Sequence, residues 1–324
     1  MSTRRQLLGQ AALAAGAAAL LKAQKAPANS SEPAWKSLFP ASFRNERIKT
    51  SGAEINTVIG GSGPPVLMFH GAPQSLITWR LIAPDLARDY TLVMCDLRGY
   101  GDSSKPEGEK DHSTYSKRPM ALDGVEVMKH LGYNQYMMVG HDRGGRVGRR
   151  MAIDHPDVVT KLVVMDIVPA HYLYSHVTIE FVQAYFHWFD YLRPAWGPEN
   201  ELLARNTAPP VRPVTDEAQL EYRRLNSDPA MLHGMCEDYR ASASVDLKID
   251  AADLKAGKRI QCPLRVLWAE RGAMGRLYDV LSIWKEEGAG SGAKVTGKGL
   301  PGNHSLQESA PKETLADLQQ FLRA

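Results

Sequence analysis

The sequence predicts a doubly wound, mostly parallel α/β sheet carrying one helical insertion. Three observations predict it. Short apolar runs alternate with longer amphipathic stretches, polar residues follow the runs directly, and the alternation fails once, between about Ala170 and Lys248. The runs Val66–Phe69, Thr91–Cys95, Tyr136–Val139, Leu162–Met165 and Leu264–Trp268 have strand length and are rich in Val, Leu and Met. Strands buried on both faces look like this, because helices cover each side of a parallel sheet. Leu122–Leu131 and Arg146–Asp154 have helical spacing, which completes a βαβα pattern. The stretch 170–248 is aromatic-rich, with turns at Arg193-Pro194 and Pro209-Pro210, and is predicted to be a helical cap over the strand ends. The core then falls into two parts, 29–169 and 249–324. Ligands of such sheets bind beyond the carboxyl ends of the strands, so the residues following each run are the candidates for function.

Composition narrows the class. With 324 residues, 44% of them hydrophobic and 23% charged, the chain can bury a proper core and is not of the disordered type. The net charge of +3 belongs to residues 1–28, which hold Arg4, Arg5, Lys22 and Lys25 and no acid; the remainder has 35 cations against 36 acids. Nucleic acid is therefore not an expected partner. Those 28 residues have a charged start, a mildly apolar middle and an Ala26-Pro27-Ala28 end, the layout of a cleavable export signal. Arg4-Arg5 resembles the twin-arginine type, so the expected location is periplasmic, with no membrane attachment after cleavage. An uncleaved amphipathic helix is the alternative. The three cysteines form no metal or disulfide pattern, and Cys95 is expected in the core. Gly60-Gly61-Ser62-Gly63 lacks the spacing of a dinucleotide loop, and no H-E-x-x-H occurs, so neither cofactor nor metal is expected.

Chemistry concentrates at Gly140-His141-Asp142-Arg143-Gly144-Gly145-Arg146, directly after a strand run. Small residues at 140 and 144 suit a sharp strand-to-helix turn that lifts Asp142 as a nucleophile, where other families place Ser. The helix dipole and Arg143 favour its ionised form. His70-Gly71-Ala72-Pro73 follows another run and would aim a backbone N–H at the same place, giving an oxyanion hole from Ala72 and Arg143. His304, in a Gly-rich loop near the C-terminus, is the expected general base. Two residues can complete a triad, Asp166 and Glu270. The apolar surroundings of Asp166 favour it, since a carboxylate there needs a partner.

A carboxylate nucleophile attacks saturated carbon and leaves an alkyl ester on the enzyme, which suits carbon–halogen bonds and epoxides better than acyl groups. Arg143 and Arg146, three apart on one helix, can grip a substrate carboxylate, whereas Arg149 and Arg150 are expected on a solvated face. In the insertion, His187, Trp188 and Tyr239 offer three donors suited to a departing halide, although each alone is also a common core residue.

These segments together resemble the haloacetate dehalogenases of the α/β-hydrolase fold, fluoroacetate dehalogenases among them, over about residues 40–324. The similar stretches are H-G-A-P-Q (70–74), D-L-R-G-Y-G-D-S (96–103), G-H-D-R-G-G-R (140–146), V-M-D-I-V-P (164–169), H-W-F (187–189), C-E-D-Y-R-A (236–241) and G-N-H (302–304). The resemblance implies Asp142 as nucleophile, Asp166 and His304 completing the triad, Arg143 and Arg146 on the carboxylate, and His187, Trp188 and Tyr239 on the halide. Ala72 stands where the family usually has an aromatic residue, and a further cap tryptophan has no evident counterpart; both imply a roomier pocket and a larger 2-halo acid. The expected partner is a small anionic organic substrate, and a homodimer stays open. An epoxide hydrolase is the alternative enzyme, kept in play by Tyr172, Tyr174, Tyr185 and Tyr191; a non-catalytic binding protein is the alternative of another class.

Overall fold

The apolar runs become the centre of one eight-stranded sheet in the computed structural model, which describes residues 35–324. The leader expected over residues 1–28 lies outside the described residues. The strands are β1 (Arg44–Lys49), β2 (Glu54–Gly60), β3 (Pro65–Phe69), β4 (Thr91–Cys95), β5 (Tyr136–His141), β6 (Val159–Met165), β7 (Leu264–Ala269) and β8 (Val295–Leu300). Their order is β1-β2-β4-β3-β5-β6-β7-β8, antiparallel at β1/β2 and β2/β4 and parallel at every other pairing.

Period-two alternation explains why the central strands read as continuous apolar runs. Leu67 and Phe69 of β3 join the core on one face, while Val66 and Met68 join the core on the other. Leu162 and Val164 of β6 divide from Val163 and Met165 in the same way. Both faces are covered, so neither set is polar. Each fully buried side chain of this kind contributes about 1.5–3 kcal/mol. Three strands have no matching run, the two outer ones and β2, whose E-I-N-T-V-I-G sets buried Asn56 and Thr57 among its apolar residues. β1 reads R-N-E-R-I-K and buries only Ile48, and β8 buries only Leu300. Charged edge strands are ordinary protection against edge pairing, and they carry no apolar signal.

Two helices frame the site. Helix α1 (Lys117–His130) starts ahead of the expected stretch, because Asp246 accepts the Lys117 N–H at 3.0 Å and so caps it from afar. Helix α2 (Arg143–Asp154) follows β5 after the single residue Asp142. Between β6 and β7 lies the helical insertion: α3 (Ala170–Ser175), α4 (Ile179–Ala184), α5 (His187–Asp190), α6 (Gly197–Thr207), α7 (Glu217–Leu225), α8 (Pro229–Ser242) and α9 (Val245–Lys255). The residue 248 chosen as its end falls inside α9.

β3 has β4 on one side and β5 on the other, so the chain reverses its direction of travel across the sheet between them. A crevice opens beyond the strand ends at such a reversal. The residues that follow β3 and β5 meet there, with Phe69 registered against Gly140.

Candidate active site

The turn after β5 is tight enough to require glycine. A Cβ on Gly140 would sit 2.5 Å from the Gly144 carbonyl oxygen, and one on Gly144 would sit 2.4 Å from that of Phe69. Asp142 between them has φ 45° and ψ −113°, a backbone conformation that non-glycine residues rarely adopt. Neighbouring strands hold it: Asp142 N–H donates to the Met165 carbonyl at 3.1 Å, and Gly144 N–H donates to that of His70 at 2.9 Å. The elbow is thus a continuation of the sheet's hydrogen bonding, and it lifts the carboxylate out of the strand.

Asp166 follows β6 and also has a left-handed φ, 53°. Its N–H donates to Leu267, and its Oδ1 accepts the Ala269 N–H at 2.8 Å. Its Oδ2 lies 2.6 Å from His304 Nδ1. The other ring nitrogen, Nε2, stands 3.8 Å from Asp142 Oδ2. Glu270, the alternative acid, is exposed and makes no such contact. Burial lowers the His304 pKa, but hydrogen bonding and charge from Asp142 and then Asp166 outweigh it and raise the imidazole to about 10. Burial likewise pushes the Asp142 carboxyl up, and His304, with His141 and Arg143, holds it well below the carboxylate range. The resting arrangement is an imidazolium between two carboxylates.

The turn after β3 is braced from within. His70 Nδ1–H donates to the Gly71 carbonyl at 2.8 Å, while Nε2 accepts the Leu97 N–H at 3.1 Å, which fixes a neutral tautomer. The turn brings Ala72 N–H to 3.0 Å from Asp142 Oδ2. A side chain at Gly71 would be 2.7 Å from Asp142 Cβ. His141, adjacent to the elbow, donates from Nε2 to the His304 carbonyl at 2.9 Å and so holds the histidine loop. Nothing in the sequence marked His141 for this, since its partner lies 163 residues away.

The insertion closes a cavity of about 330 Å³ over these groups. Asp142, Ala72 and His304 form its floor, and Tyr185, His187, Trp188, Tyr191, Arg205, Met235 and Tyr239 line the rest. His187, Trp188 and Tyr239 converge: Tyr239 meets the Trp188 ring at 5.7 Å and the His187 ring at 5.9 Å, edge to face. Burial lowers the His187 imidazole and raises the Tyr239 phenol, so both stay neutral hydrogen-bond donors at neutral pH. Tyr185, which the sequence offered only for the epoxide alternative, has its ring 6.5 Å from that of His304, and Arg205 was not singled out by the sequence at all.

The arginines of α2 correct one expectation. Arg149 and Arg150 are only 5% and 3% exposed, not solvated. Arg149 donates to Asp250 at 2.8 Å, and Arg150 to Asp250, Asp253 and Asp154, acids that come mostly from α9. Arg143 and Arg146 lie behind the aromatic wall, not on the cavity surface. The Arg143 fork is already occupied: Nε and Nη2 donate to the Asp238 carboxylate at 2.8 and 2.6 Å. Lys117 and the Tyr100 hydroxyl share that carboxylate, and burial, which would raise it, is outweighed by Arg143 and Lys117, leaving it at about 2. Arg143 Nη1 and Arg146 Nε have no partner although both are buried. The Arg146 guanidinium lies 4.8 Å over the Trp188 ring, and that of Arg143 4.3 Å over Tyr239. Two unpartnered cationic donors thus sit against the rings that line the cavity.

Comparisons with known proteins agree with this geometry. A family model for the alpha/beta hydrolase fold matches residues 64–204. Fluoroacetate dehalogenase of Burkholderia sp is 40% identical over 291 residues, 86% of this chain and 94% of that protein. Soluble epoxide hydrolase of Corynebacterium sp. is 32% identical over 255 residues, 73% of this chain and 83% of that one. A crystal structure described as an alpha/beta hydrolase from Nostoc sp PCC 7120 superposes with a TM-score of 0.82 at 44% identity, covering 87% of this chain and 98% of its own. Sheet order, elbow and sequence overlap agree, and the chain belongs to the α/β-hydrolase-fold haloacetate (fluoroacetate) dehalogenase family and is a hydrolase.

Proposed function

We propose that this hydrolase cleaves the carbon–halogen bond of short 2-halo acids, giving the 2-hydroxy acid and halide. The observation that carries the reading is the meeting, in one cavity, of an ionised aspartate on a strained elbow with imidazole, indole and phenol donors, backed by two guanidinium groups with unpartnered N–H. Behind the Tyr239 and Trp188 rings, the Arg143 and Arg146 guanidinium groups, with Nη1 and Nε unpartnered, supply the positive charge that draws the substrate carboxylate. An Asp142 oxygen attacks C2 from the side opposite the halogen. The C–O bond forms as the C–X bond breaks, and the halide leaves with the bonding pair toward His187, Trp188 and Tyr239.

The alkyl ester is then hydrolysed. His304 Nε2 takes a proton from water, the hydroxide adds to Cγ of Asp142, and Ala72 N–H with the backbone N–H of Arg143 stabilises the resulting oxyanion. Collapse breaks the bond between Cγ and the alkyl oxygen, His304 returns its proton to the leaving alkoxide, and Asp142 is again a carboxylate, with one proton released. The electrostatics suit this order. The His304 pKa of about 10 depends first on the Asp142 charge, and esterification removes that charge. The imidazole therefore becomes a base when a base is needed.

A single turnover of chloroacetate in heavy-oxygen water tests the reading. Label is expected in Asp142 before it reaches product; label in the first-turnover product, with none in Asp142, refutes the ester. A second reading, epoxide hydrolysis by the same aspartate, is favoured by the phenols of Tyr185 and Tyr191 in the cavity wall. Halide release from chloroacetate set beside diol formation from styrene oxide separates the two.

A further inference from the structure

The catalytic cavity does not end at its own wall. It adjoins an outer chamber of about 300 Å³, and Pro73, Tyr191, Arg205 and Met235 line both spaces. Each volume lies within the roughly 300–1,000 Å³ of pockets that bury drug-sized ligands, whereas a haloacetate has only a handful of heavy atoms. Leu202, Leu232 and Met235 give the outer chamber an apolar side, and Arg205 and Arg223 give it a cationic one.

Those two arginines differ from their neighbours. Arg193, Arg224 and Arg240 in the same insertion each pair with a carboxylate, Glu201, Glu221 and Glu199 respectively. Arg205 instead meets the phenol of Tyr191, and Arg223 donates to the Ala208 carbonyl. Among the described residues, neither has a carboxylate within ion-pair distance. Arg205 lines both spaces and Arg223 only the outer one, so a guest whose reacting end meets Asp142 reaches one unneutralised cation where the spaces adjoin and a second beyond it, a layout that suits an extended, doubly charged guest.

We propose that the outer chamber is a subsite for a distal carboxylate, and that the preferred substrates are 2-halogenated dicarboxylic acids with a methylene spacer. The inference rests on the dehalogenase reading given above. The reacting end occupies the inner cavity, the spacer lies against Tyr191 and Met235, and the far carboxylate meets Arg205 where the two spaces adjoin, with Arg223 and the apolar side of Leu202 and Leu232 beyond it.

The test is a ratio. The kcat/KM for 2-chloroglutarate is compared with that for 2-chloropentanoate, an equally long acid with one carboxylate, in the wild type, Arg205→Gln and Arg205→Lys. Because Arg205 is exposed, the diacid is expected to lead by about two- to fivefold at low salt. Arg205→Gln should bring the ratio to about one, Arg205→Lys should keep most of it, and added salt should erode it. A wild-type ratio near one, or a lead that survives Arg205→Gln, overturns the subsite. An equal fall for both acids in Arg205→Gln points to general attraction of anions and overturns it too. If chloroacetate and both longer acids all fail to release halide, the reaction assignment fails on its own. Calorimetric binding of glutarate against pentanoate to the same three proteins then decides the subsite by the same ratio.

Discussion

The two halves of the catalytic cavity are built by different means. In the sheet half, Asp142 and Asp166 stand on consecutive strand ends with positive φ, pinned by backbone hydrogen bonds to neighbouring strands, and His304 is held through its own carbonyl by His141. In the insertion half, His187 and Trp188 come from a four-residue helix and Tyr239 from α8, and ring contacts rather than backbone ladders set their places. Backbone pairing fixes a group to within a fraction of an ångström and tolerates few sequences. Ring packing accepts many. The contrast teaches that, on the proposed reading, the precisely pinned half carries the reaction while the half set by ring packing decides what is admitted to it.

The largest expected effect breaks the sheet half alone. His304→Gln removes the base without touching the insertion, so the ester should form and persist. With chloroacetate, intact-protein mass spectrometry should find one carboxymethyl group on the chain, located at Asp142, and turnover should fall by about 10³–10⁴-fold or more. Unmodified protein after exposure to chloroacetate would contradict this division of roles. The wild-type pH profile adds to it. An imidazole with a raised pKa is protonated below that value, so a base with a pKa of about 10 would leave the enzyme nearly idle at neutral pH. Loss of the Asp142 charge in the ester moves the pKa down. When ester hydrolysis limits kcat, the acid limb of kcat should therefore lie clearly below about 10. A limb at about 10 would mean that the base is not relieved by esterification.

The next effect concerns the joint between the halves. Asp238 of α8 binds Arg143 of α2, Lys117 of α1 and the Tyr100 hydroxyl in a fully buried cluster. Asp238→Ala leaves buried Arg143 without a carboxylate and Lys117 with only Asp246, at 3.6 Å, and one unpaired buried charge already costs about 3–5 kcal/mol. A denaturant midpoint lowered to match is the expected outcome, measured at equilibrium. An unchanged midpoint would show that the cluster is wet enough to need no anion. Asp238 sits in a stretch, C-E-D-Y-R, that the sequence marks out, but for Tyr239; its own role depends on partners 95 and 121 residues away.

That pattern explains what the sequence discloses and what it hides. Strands β3 to β7 are legible because burial on two faces leaves no polar alternative, and the elbow is legible because its glycines are sterically required at 140 and 144. β1 and β8 carry edge chemistry and look like loops. Arg149 and Arg150 look solvated because a charged side chain is read by itself. Their burial depends on Asp250 and Asp253, about a hundred residues on, and nothing local to α2 announces them. The same blindness applies to Arg205, whose meaning lies in the carboxylate it lacks.

The smallest expected effect is the most discriminating for the insertion half. Tyr185 lines the cavity, and burial raises its phenol, so it is a neutral O–H donor across the working pH range. In the proposed dehalogenation the departing halide would be met by His187, Trp188 and Tyr239, and the Tyr185 hydroxyl would touch no bond that forms or breaks. Tyr185→Phe keeps the ring that packs against Phe181 and Trp188 at 5.3 and 6.0 Å and removes only the oxygen. Chloroacetate kcat should then stay within about twofold of wild type, the scale of a lost non-reacting contact. An epoxide differs, because its ring oxygen becomes an alkoxide that must be protonated as the ring opens. There, loss of a phenol donor should lower kcat by about 10²-fold or more. A large fall on chloroacetate would place Tyr185 on the halide and redraw the boundary between admission and reaction inside the insertion itself.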